Sequence, residues 1–79
     1  MTRHDLPDKL YDTLKFMGGQ GTIIEICKMF WSRHEEELKR SGDLFYTWQY
    51  DIRWAATELR KRKKMKAAEF SKKGVWEIV

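Results

Sequence analysis

Cysteine occurs once in this chain of 79 residues, at Cys27. A single thiol closes no disulfide within the chain and supplies no multi-thiolate zinc site, and it suits a reducing compartment. No apolar run approaches the roughly 18 to 20 residues that a membrane helix needs, and Met1 to Asp5 lack the apolar stretch of a signal peptide. An intracellular, cytoplasmic protein without a membrane partner is therefore expected. Internal repeats and low-complexity linkers are absent as well. What remains must fold by packing alone, and 42% hydrophobic residues, 14% aromatic and four of them Trp, suit one small compact domain over residues 1–79.

Acidic residues are scarce in one half. Residues 1–40 balance seven Lys/Arg against seven Asp/Glu, whereas residues 41–79 hold nine against five, so the net charge of +4 lies in the C-terminal half. Between Arg60 and Lys66 six of seven residues are basic and none is acidic, which attracts polyanions. The same run also suits a helix C-terminus, where cations meet the negative dipole end.

The chain order predicts three helices. The first begins between Asp5 and Asp8, where Pro7 has its φ preset for a first turn, and Leu6, Leu10, Leu14 and Met17 form its core stripe. Gly18-Gly19-Gln20-Gly21 ends it and leaves room for a very short strand around Gly21 to Ile23. Thr22 caps a second helix running to about Arg40, whose apolar residues Ile23, Ile24, Ile26, Cys27, Phe30, Trp31, His34 and Leu38 span roughly 160° of arc. Ser41-Gly42-Asp43 stops it, and a third helix follows over about Thr47–Lys63.

That third helix organises the reading. At 100° per residue, Trp48, Ile52, Ala55, Ala56 and Leu59 share one arc. Gln49, Tyr50, Arg53, Thr57, Arg60, Lys61 and Lys64 lie opposite, with Thr47 at the N-terminal end. Donors, an aromatic ring and cations on one helix face match the demands of a DNA major groove. After Lys64 the apolar period shortens to two, Ser71-Lys72-Lys73-Gly74 is turn chemistry, and Val75 to Val79 is β-rich. A hairpin wing over about residues 65–79 with Lys72 and Lys73 at its tip is expected. The predicted fold class is α+β, a winged helix-turn-helix.

Four segments make the resemblance more specific. They are Gly18-Gly19-Gln20-Gly21-Thr22, Glu25-Ile26, Thr47-Trp48-Gln49-Tyr50-Asp51-Ile52-Arg53-Trp54-Ala55, and Ser71-Lys72-Lys73-Gly74-Val75-Trp76-Glu77-Ile78. Together they resemble the winged-helix domain at the N-terminus of Mrr-type restriction endonucleases and related small proteins, over nearly the whole chain. The resemblance implies binding of modified or unmodified DNA by the helix from Thr47 and by the wing at Lys72 and Lys73. It also implies a prokaryotic or viral setting, such as a phage or mobile-element protein acting in transcription regulation. The family usually continues into a nuclease domain where this chain stops, so the resemblance carries binding and not cleavage.

Catalytic constellations are not expected. Cys27 and His34 share a helix face, but seven residues put them about 10 Å apart along the axis, too far for a thiolate and its base. Glu35, Glu36 and Glu37 fan out at 100° steps and pair instead with Lys39 and Arg40 one turn on. His4 lies in an expected frayed end without metal-spaced neighbours. Trp31, Trp48 and Trp76 read as core, whereas Tyr50 and Trp54 face outward, Trp54 with the alternative of packing under the wing. Arg53 is expected to reach a guanine edge or a phosphate with Gln49 and Thr47 beside it, and Arg60, Lys61, Lys63 and Lys64 to touch backbone.

The sequence thus predicts a non-enzymatic binder of double-stranded DNA, needing neither metal nor cofactor, alone, as a homodimer or in a larger protein complex. The rival class is a protein-interaction winged helix docking through Phe45, Tyr46, Tyr50 and Trp54. Single-stranded nucleic acid stacked on Tyr50 and Trp54 is a third reading.

Overall fold

Pro7 stands at the start of the first helix, α1 (Leu6–Phe16), in the computed structural model, which describes residues 1–79. A 3-10 turn over Arg3–Asp5 leads into it, so the N-terminus is folded where fraying was expected. Leu6, Leu10 and Leu14 are fully buried. Thr13, the buried polar residue beside them, donates its hydroxyl to the Lys9 carbonyl at 2.9 Å and so carries no unpaired group into the core. The helix ends in a Schellman motif: the N–H of Gly19 reaches the Leu14 carbonyl at 2.8 Å and that of Gly18 the Lys15 carbonyl at 3.1 Å. Gly18 and Gly19 hold φ of +90° and +102°, left-handed values that glycine adopts without a Cβ clash.

The short strand β1 (Gln20–Thr22) follows, and Thr22 starts α2 (Ile23–Lys39) with a reciprocal cap. Its hydroxyl accepts from the Glu25 N–H at 3.1 Å, and the Glu25 carboxylate accepts from the Thr22 N–H at 2.9 Å. Arg40–Asp43 turn the chain, with Gly42 at φ +62°, into α3 (Leu44–Lys61), which begins three residues before Thr47. The five residues predicted to face inward, Trp48, Ile52, Ala55, Ala56 and Leu59, are all buried, joined by Leu44. They close over Leu10 and Leu14 of α1 and Ile26, Phe30 and Leu38 of α2 in one cluster. Full burial of a side chain such as Phe30 or Ile52 contributes about 1.5–3 kcal/mol, so this cluster is the main source of stability.

The C-terminal part departs from a simple hairpin. The strand β2 (Val75–Glu77) pairs antiparallel with β1, Gly21 opposite Trp76, in a two-stranded sheet. Of the expected first hairpin strand only Met65 bridges, to Ile78, with the Lys66 N–H on the Glu77 carbonyl at 2.8 Å and the Val79 N–H on the Lys64 carbonyl at 3.1 Å. Ala68–Phe70 form a 3-10 turn instead of continuing the strand. Met65 is buried and has a core to enter, but Ala67 and Glu69, next in its alternation, do not, and alanine favours strands poorly. The turn Ser71–Gly74 forms as predicted, with Gly74 at φ +78°. The result is a compact α+β fold of three helices and a two-stranded sheet. None of its helices is long and apolar enough to cross a membrane.

Candidate nucleic-acid interface

The outward side of α3 divides into three stripes. Along its middle run Tyr46, Tyr50, Arg53 and Thr57, all exposed, with Tyr46 at 82% and Tyr50 at 72%. No carboxylate stands in this stripe. Arg53 has no Asp or Glu within 4.0 Å, unlike Arg3, Lys9, Lys39, Lys61, Arg62 and Lys66, which are paired. Its guanidinium is therefore free to meet an external anion. The Thr57 hydroxyl is returned to the Arg53 carbonyl at 3.2 Å, which makes it a weaker candidate than its exposure suggests.

A second stripe turns toward the N-terminal segment. Thr47 donates to Asp51 at 2.8 Å, and Asp51 pairs with Arg3 at 3.6 Å. Trp54, predicted to face out or to pack under the wing, does neither: it is half-buried beneath Arg3, whose guanidinium lies 4.1 Å from the ring centroid, and His4 meets it edge-on at 5.9 Å. The folded N-terminal turn supplies this cover, and nothing in the local pattern of Met1 to Asp5 announced it. Thr47 thus belongs to an internal polar chain and not to the outward stripe.

The third stripe, Phe45 and Gln49 with Arg53 at its edge, faces α2 across a groove of about 820 Å³. Ile24, assigned to the buried arc of α2, is 69% exposed at its mouth. A 160° arc is wider than one face needs, and Ile24 lies at its margin. Lys28 sits beside it without an ion pair, although Glu25 one turn earlier feels its charge; neither was predicted as a site residue, and the signal for Ile24 was an isoleucine where a surface helix usually turns polar. Cys27 lines the same groove. Burial pushes its thiol above the usual value, with the Arg53 charge opposing the shift.

The basic run at the end of α3 does not join this surface as one block. Arg60 donates its Nε–H to the Lys66 carbonyl at 3.3 Å and is tethered to the following segment. Lys61 lies 4.0 Å from Glu58, Arg62 pairs with Asp8 at 3.9 Å, and the Lys64 ammonium stands 5.4 Å from the Tyr11 ring centroid. Arg62 and Lys64 therefore turn toward α1. Lys63 is the exposed, unpaired exception, at φ +60°.

Lys72 and Lys73 are exposed in the turn before β2. The Gly74 carbonyl accepts from the N–H of Ile23, the first residue of α2, at 3.0 Å, and Lys72 shares a shallow depression with Thr22 and Glu25. Glu25 is turned back onto Thr22, whose N–H holds its carboxyl below the usual carboxylate range. The basic turn is thus joined to the N-terminus of α2, the helix that forms the other wall of the groove at Arg53. No family model, no curated protein and no solved structure matches the chain.

Proposed function

We propose that this chain is a winged-helix domain that binds double-stranded DNA, with α3 in the major groove and the Ser71–Gly74 turn on flanking phosphates. The observation that carries the reading is the outward stripe of α3. It offers exposed Tyr46, Tyr50 and an unpaired Arg53 without a carboxylate, with Gln49 beside them at the groove, and the start of α2 is tied to the turn bearing Lys72 and Lys73 by the Ile23–Gly74 hydrogen bond. Exposed donors on a helix bordered by an independent basic turn suit base contacts flanked by backbone contacts. The order helix, strand, helix, helix, closing strand suits the winged-helix architecture, and so does the sequence resemblance to the N-terminal domain of Mrr-type restriction endonucleases. Within this reading, Gln49, Tyr50 and Arg53 face the bases, and Lys63, Lys72 and Lys73 face phosphates.

Protein docking through an aromatic patch is less well supported than the sequence suggested, because Trp54 is covered by Arg3 and His4. The deciding experiment is fluorescence anisotropy of labelled duplex DNA at about 50 and 200 mM salt with a single-stranded competitor. Three phosphate contacts, at Lys63, Lys72 and Lys73, give log K a slope of about −2.7 against log salt. Arg53→Ala is expected to weaken binding by about 1–3 kcal/mol, roughly 5- to 150-fold. A salt-independent affinity, or a single strand that outcompetes the duplex, refutes the proposal.

A further inference from the structure

The groove between α2 and α3 carries more than a DNA-reading face requires. Seven of its ten lining residues are hydrophobic, and none is acidic. Its volume of about 820 Å³ falls in the range of small-molecule sites, which are apolar clefts holding a few placed polar groups. Ile24, 69% exposed, extends the apolar surface outward from Cys27 and Trp48.

The groove combines two chemistries. One is aromatic. Phe30, Trp48 and Trp31 form a stacked series, with centroids 5.6 Å and 6.0 Å apart and rings within 18° and 13° of parallel. Phe45 tilts against Trp31 at 6.2 Å, so Trp31 and Phe45 frame the groove where the series ends. A flat aromatic guest continues such a series by offset stacking. The cations lie off the rings by unequal steps: Arg53 is eight residues beyond Phe45, about 12 Å along the α3 axis, and Lys28 is three residues before Trp31, about 4.5 Å along α2. Neither cation forms an ion pair within 4.0 Å, although Glu25, held on Thr22, feels the Lys28 charge, and Gln49 lies on α3 between Phe45 and Arg53 as an amide donor and acceptor. Rings flanked by two cations without ion-pair partners complement a planar aromatic molecule bearing an anionic group.

We propose that the α2–α3 groove binds a small planar aromatic carboxylate, its rings against Trp31 and Phe45 and its carboxylate on Lys28 and Arg53. Because Gln49, Tyr50 and Arg53 line the groove and also belong to the proposed DNA-reading face, the ligand and duplex DNA exclude one another. That exclusion rests on the DNA-binding reading; the binding of the ligand does not.

The test is titration of the isotope-labelled chain with 2-naphthoate, followed by amide and indole NMR shifts, beside the uncharged isostere 2-naphthamide. Saturable shifts are expected with Kd of about 0.1–1 mM for a ligand of this size, concentrated on Ile24, Cys27, Lys28, Trp31, Phe45 and Arg53. The amide is expected to bind at least about fivefold more weakly, and Lys28→Ala to cost the naphthoate about two- to fivefold. Ile24→Glu puts a carboxylate at the mouth of the groove from an exposed position that the fold tolerates, and is expected to abolish binding while the circular dichroism stays unchanged. Equal affinity for acid and amide, shifts centred elsewhere, or no saturable shift overturns the site. With labelled duplex bound, saturating naphthoate is expected to release it, and a ternary complex overturns the exclusion. If duplex never binds but naphthoate does, the DNA reading fails and the ligand site stands.

Discussion

Lys63 occupies a position that the same chain gives to glycine elsewhere. Both α1 and α3 end in a Schellman motif: in α3 the N–H of Lys64 reaches the Leu59 carbonyl at 2.9 Å and that of Lys63 the Arg60 carbonyl at 3.0 Å. The left-handed residue is Gly18 in the first motif, at φ +90°, and Lys63 in the second, at φ +60°. A residue with a Cβ loses roughly 1–2 kcal/mol in that conformation, and glycine returns about half of this through its freer unfolded chain. Lys63→Gly is therefore expected to stabilise the fold by about 0.5–1 kcal/mol, which in a domain of this size raises Tm by about 2–8 °C. Lys63→Ala separates the backbone effect from relief of repulsion with Lys61, Arg62 and Lys64, because it removes the charge and keeps the Cβ. Thermal and urea unfolding followed by circular dichroism read both variants. If Ala stabilises as much as Gly, charge and not backbone strain is the cause, and the argument from φ fails. On the DNA-binding reading both variants also lose one phosphate contact, and the salt slope falls by about 0.9 in each. A chain that keeps a costly lysine there would then be trading stability for affinity.

The other predictions concern the cap, the pH response and the wing. Thr22→Ala removes one half of the reciprocal cap on α2 and is expected to cost about 1 kcal/mol by urea unfolding; an unchanged midpoint would mean water replaces the hydroxyl at no cost. His34 has its pKa held below the usual value, first by burial, then by Lys9 and Arg33, against Glu37 and Asp12; its Nε2 is buried without a partner. The unfolded chain therefore binds its proton first, so stability is full above about pH 6.5 and falls as pH drops toward the folded-state pKa. His34→Gln should flatten that part of the pH–stability curve, and an unaltered slope would exonerate His34. Replacing Lys72 and Lys73 together by Ala should reduce the salt slope of duplex binding by about two, with unfolding unaffected. A slope that does not move places the turn away from phosphate.

The helices were legible because each has a single buried side. Leu6, Leu10 and Leu14, or Trp48, Ile52, Ala55 and Leu59, repeat at helical spacing, and Gly18 and Gly42 mark where the chain must reverse. What periodicity could not show was contact between distant segments. The pairing of β1 with β2 joins Gly21 to Trp76, and neither strand is long enough to carry an alternation of its own. Trp54 looked outward because its cover comes from Arg3 and His4, some fifty residues earlier. The basic run looked like one surface because charge was read along the chain, whereas Arg60, Arg62 and Lys64 each turn to a different neighbour. The exposure of Arg53 was recognisable from the wheel alone. The groove beside it was not, since it needs two helices and appears on neither wheel.

The hydrogen bond from Ile23 to Gly74 changes what kind of part the wing is. With Gly21 paired to Trp76 and Thr22 to Val75, the strand β2 is joined to the residues leading into α2 at consecutive positions. Residues 67–71, by contrast, make only short-range backbone bonds, Phe70 to Ala67 and Ser71 to Ala68. The Ser71–Gly74 turn is thus anchored to α2 on its downstream side and tied only locally on its upstream side. On the winged-helix reading, Lys72 and Lys73 are presented from a seat fixed to the start of α2 and not from a free loop.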